Sequence, residues 1–135
     1  MRVVVDAMGG DHAPDEVVKG ALEAAGERLR VVLVGDEARL GRLLPPDARH
    51  VELVHAPDVI TFHDEPVAAA RKKTGSSLVI GMKLVREGRA DAFVSAGNTG
   101  AVVAASLLYV HRIRGVQRPA ICSIFPAIPK PVACL

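Results

Sequence analysis

Aromatic side chains are scarce in this sequence: three Phe, one Tyr and no Trp among 135 residues. Base stacking depends on such rings, so recognition of nucleic acid lacks its usual platforms. A strong charge excess is absent too. Seventeen Lys and Arg against fifteen Asp and Glu leave a net +2, too little to argue for nucleic acid or an acidic membrane surface. No apolar run approaches the ~20 residues of a membrane span. The longest, 101–110, is interrupted by Ser106 and reads as a buried helix. The opening MRVVVDAMGG has neither an apolar signal core nor a cleavage site, which argues against export and for a cytoplasmic protein. Cysteine is limited to Cys122 and Cys134, without the close spacing of a metal pair. Their apolar neighbours predict buried thiols in a reducing compartment, with a disulfide as the minor alternative.

The composition, 50% hydrophobic and 24% charged, is that of a globular chain, and residues 1–135 read as a single α/β domain. The last residues, KPVACL, are apolar with no polar tail, which suggests that the natural protein continues past Leu135. Strands and helices alternate. Strands are predicted at 3–6, 30–35, 50–56, 90–96 and 118–126. Helices are predicted after Pro14, over 36–44 and 65–73, over 76–88 between Ser76 and Gly88, and as one long helix over 97–114. Short apolar strands separated by helices predict a mostly parallel sheet covered on both faces.

Ligands of such sheets bind beyond the carboxyl ends of the strands, which singles out two loops. The first is DAMGGDHAP (6–14). Gly9 and Gly10 let backbone N–H groups approach a ligand, and the helix that follows favours an anion. His12 could donate to that anion or shuttle a proton, with Asp6 or Asp11 orienting it. The alternative is a tight turn with Asp11 capping the helix. The second loop is SAGNTGA (95–101). Gly97 and Gly100 free the backbone, while Ser95, Asn98 and Thr99 bring neutral donors suited to phosphate or an oxyanion. Here the alternative is helix capping by Asn98 or Thr99. Lys73, or Arg71, could attract an anionic substrate if its helix points toward this edge. FHDE (62–65) reads as a loop and helix start rather than a metal site, because consecutive residues point in different directions. Neither GxGxxG nor GxxxxGK[ST] occurs, so no nucleotide cofactor is expected.

In this order, VDAMGGDHAP, RKKTGSSLVIGMKLVREGRADAFVSAGNTGA and RIRGVQRPAI resemble the PlsX-type phosphate acyltransferases of bacterial phospholipid synthesis, from Met1 to about Ile121. The resemblance implies a three-layer α/β/α sandwich similar to isopropylmalate dehydrogenases and phosphotransacetylases, and a homodimer. It implies transfer of a long-chain acyl group from acyl carrier protein to inorganic phosphate, with no cofactor and no metal. Phosphate would lie among Gly9, Gly10, Ser95, Gly97, Asn98 and Thr99, with His12 and Asn98 as catalytic groups and Lys73 toward the substrate. Family members are much longer. Their further length would add more of the sheet, the dimer surface and most of the acyl pocket, and it allows peripheral membrane association. A coenzyme A-dependent phosphotransacetylase-like enzyme and a non-catalytic phosphate-binding module are the alternative readings.

Overall fold

The computed structural model describes residues 1–134. Its centre is a four-stranded parallel sheet formed by β1 (Arg2–Asp6), β2 (Arg30–Gly35), β3 (Val51–His55) and β4 (Ala92–Val94), in the order β3-β2-β1-β4. Both faces are covered, so β2 carries apolar residues without interruption, and alternate ones serve opposite layers. Val31 and Leu33 pack with Val18 and Ala21 of α1 (Asp15–Ala24) and Leu40 of α2 (Glu37–Leu43). Val32 and Val34 join Val4 beneath Leu84 of α4 (Ser77–Arg86) on the other face. A further cluster ties α4 to α3 (Pro66–Lys72) and α5 (Thr99–Ala105). Three α/β/α layers result.

Local chemistry sets the helix starts. Asp36 accepts from the Arg39 N–H, Glu65 from Val67 and Ala68, and Ser76 from Val79. Each cap satisfies amide donors that the helix itself leaves unpaired, a contribution of typically ~1 kcal/mol. The helix predicted over 76–88 is present, capped by Ser76 and followed by Gly88 at φ +69°. Within it, Gly81 lies so close to Phe93 and Val4 that no side chain would fit between α4 and the sheet.

Three expectations fail toward the C-terminus. The long helix over 97–114 is a single α-helical stretch, α5, followed by a π turn over Ser106–Val110 that ends at His111 with φ +72°. Ser106 donates its hydroxyl back to the Val103 carbonyl, competing with the helical ladder where the bonds widen. The strand over 118–126 shortens to β5 (Ser123–Phe125) and leaves the parallel sheet. It pairs antiparallel with β6 (Val132–Cys134) in a separate exposed hairpin. Pro119, Pro126, Pro129 and Pro131 remove backbone donors on both sides and keep these strands short. Cys122 and Cys134 are consequently exposed free thiols rather than buried ones, because none of the described residues forms a layer over this hairpin. Among the described residues, no helix is long and apolar enough to cross a membrane.

Candidate functional site

The pairing of β1 with β4 brings Val5 opposite Val94, so the residues that leave the two strands, Asp6 and Ser95, become neighbours. Asp6 is only 3% exposed. Its carboxylate accepts from the Ser95 hydroxyl at 2.8 Å and from the Met8 N–H at 3.2 Å. The Ser95 hydroxyl in turn accepts from the Gly97 N–H at 3.0 Å. The two glycine loops therefore touch each other.

Glycine is required at this contact for space as well as for torsion. A Cβ on Gly9 would stand 2.5 Å from the Asp6 carboxylate, and one on Gly97 would stand 3.2 Å from the Gly9 Cα. Gly10 has φ +116°, where side chains are strained, and packs against Ala96. Among the described residues, the N–H groups of Gly9 and Gly10 donate to no protein acceptor.

A third loop completes the edge. Met8, Gly10 and Gly97 face Ile60, Thr61 and His63 across a cleft of about 170 Å³. The loop after β3 is built around Asp64, whose carboxylate accepts from the Thr61 N–H and hydroxyl and from the Lys73 ammonium at 2.7 Å. The Lys73 hydrogen bond, followed by that of the Thr61 N–H, lowers the Asp64 pKa to about 2. Lys73 also donates to the Val59 carbonyl at 2.9 Å, so its charge is directed into this loop.

Asn98 closes the arrangement. Its side-chain oxygen caps α5 by accepting from the Ala101 N–H at 3.0 Å. Its amide nitrogen donates to the Thr61 carbonyl at 3.2 Å and the Asp64 carbonyl at 3.5 Å. Asn98 thus ties the loop after β3 to the head of α5, and Thr99 follows it as the first, exposed residue of that helix.

His12 lies apart. It is exposed beside a second depression of about 360 Å³ shared with Gly9, Gly10, Glu16 and Ala96. Among the described residues, neither Asp6 nor Asp11 hydrogen-bonds to His12; Asp6 turns to Ser95 instead. Asp11 does not cap α1 either, since the capping position is Pro14 with no side-chain bond. The structure therefore brings together Gly9, Gly10, Ser95, Gly97 and Asn98, with Lys73 behind the third loop and His12 on the far side of the first. The contribution of residues 59–63 was missed from sequence. The signal was available, because this loop also follows a carboxyl strand end. His63, Asp64 and Glu65 do not converge: Asp64 turns to Lys73, and Glu65 caps α3.

The family model for the fatty acid synthesis protein matches residues 1–135. The chain belongs to that family. It is 51% identical over 134 residues to the phosphate acyltransferase of Levilactobacillus brevis, an alignment covering 97% of this chain and 38% of that protein. A phosphate acyltransferase of Brevibacillus brevis is 51% identical over 129 residues, covering 93% and 38%. This family member thus spans well under half the length of the relatives it matches. Among solved structures, a branched-chain phosphotransacylase from Enterococcus faecalis V583 superposes with a TM-score of 0.52 at 19% identity, covering 98% of this chain and 42% of that one. That likeness establishes the shared α/β fold.

Proposed function

We propose that this chain carries the phosphate-holding edge of an acyltransferase that moves a long-chain acyl group from acyl carrier protein to inorganic phosphate. One observation carries the reading: two glycine loops meet at one cleft, with the Gly9 and Gly10 N–H groups turned to no protein acceptor among the described residues, in a chain half identical to phosphate acyltransferases. Such donors hold an anion without a competing side-chain charge. A phosphate oxygen attacks the thioester carbonyl carbon, the carbonyl oxygen gathers negative charge, and the carbon–sulfur bond then breaks. The products are acyl phosphate and the carrier thiol, whose proton comes from the attacking hydrogen phosphate. No covalent enzyme intermediate is needed, so the rate rests on positioning and on stabilisation of the oxyanion.

In this reading Gly9, Gly10 and Thr99 offer backbone donors to phosphate, while the Gly97 N–H is engaged by Ser95. His12, beside the depression it shares with Gly9 and Gly10, relays the proton. Asn98 and Lys73 act through the loop after β3, which they fasten. The working protein is a cytoplasmic homodimer. The test is acyl phosphate formation by the full-length gene product, trapped with hydroxylamine, using long-chain acyl-carrier-protein and acyl-coenzyme A thioesters in parallel. Phosphate-dependent loss of the carrier thioester is expected. Turnover of the coenzyme A thioester alone would move the assignment to a phosphotransacetylase-like enzyme. Phosphate binding without turnover of either would leave a binding module.

A further inference from the structure

We infer that Asp6 is a positioning residue which, through Ser95, holds the Gly97 loop against the Gly9–Gly10 backbone so that both loops address one phosphate. The inference rests on the proposed phosphate site and adds a role for a buried carboxylate that would otherwise oppose an anion. A carboxylate next to an anion site is unfavourable unless its charge is turned elsewhere. Asp6 meets that condition: it is 3% exposed, with one oxygen on the Met8 N–H and the other on the Ser95 hydroxyl.

Ser95 is fixed by the same bonds. Its only proton goes to Asp6 and its oxygen takes the Gly97 N–H, so the hydroxyl serves as a bridge rather than as a phosphate donor. The contact it secures is tight, with no room for a Cβ on Gly9 and little for one on Gly97. Ser95→Ala removes the bridge. In Asp6→Asn the amide nitrogen faces the Ser95 oxygen, and the serine proton must turn away.

Steady-state kinetics of the full-length gene product test the inference, together with calorimetric titration by inorganic phosphate. Each variant is expected to raise the KM for phosphate by about tenfold, and the KM for the acyl donor by less than about twofold. The double variant should be no worse than either single one, because both changes break one chain of bonds. An unchanged phosphate KM, a parallel rise in both KM values, or multiplicative effects would overturn the clamp while leaving the acyltransferase reading intact. If the unmodified protein binds phosphate but forms no acyl phosphate, and Ser95→Ala weakens that binding about tenfold, the clamp stands and the acyltransferase reading falls. No phosphate binding by the unmodified protein overturns the clamp outright.

Discussion

Replacing Asn98 by Asp separates a helix cap from a brace. Aspartate caps a helix as well as asparagine does, so if the bond to the Ala101 N–H were the whole role, stability would change by only a few tenths of a kcal/mol. The structure gives the amide nitrogen a second task at the Thr61 and Asp64 carbonyls. Aspartate cannot donate there and turns a carboxylate oxygen toward two carbonyl oxygens, at a site 9% exposed. Leaving buried polar groups in that state costs about 1–3 kcal/mol. Asn98→Ala loses both roles, about 1 kcal/mol for the cap and a comparable amount for the brace. Both variants should therefore unfold earlier, by about 3–4 °C per kcal/mol in a domain of this size. Thermal unfolding followed by circular dichroism, with hydrogen exchange of residues 61–64, provides the measurement. An Asn98→Asp protein as stable as the original, with unchanged exchange in that loop, would refute the brace. The alanine variant's loss would then measure a cap alone.

Two further outcomes are expected. The Asp64 carboxyl, with its pKa lowered from 3.8 to about 2, contributes stability that is present above pH ~4 and lost as the pH falls through about 2. A carbon-detected NMR titration should find that low midpoint and its return toward 3.8 in Lys73→Met, whereas an ordinary midpoint in the unmodified protein would contradict the Lys73 bond. Cys122 and Cys134 should both react with a thiol reagent in the native protein as fast as in denaturant, and slow reaction of either would show that the hairpin is covered.

The sequence by itself determined the elements as far as the start of α5, and the two loops. Apolar spacing within α4 and its framing by Ser76 and Gly88 are local properties, readable from a single segment. The rule that ligands lie beyond carboxyl strand ends marked Gly9, Gly10 and the segment after β4, because it depends on element type and direction alone. Tertiary structure alone decided which polar groups meet. Asp6 and Ser95 are 89 positions apart, and only the placement of β1 beside β4, in the register that sets Val5 against Val94, makes them hydrogen-bond partners. The same holds for Asn98 and Thr61, joined by the packing of α3 against α5, and for Lys73, whose charge looked available until the chain folded Asp64 onto it. The fate of residues 111–134 was equally hidden. A run such as RPAICSIFP carries strand propensity but no record of its partner, and its neighbours across the hairpin are chosen by where the prolines leave donors free.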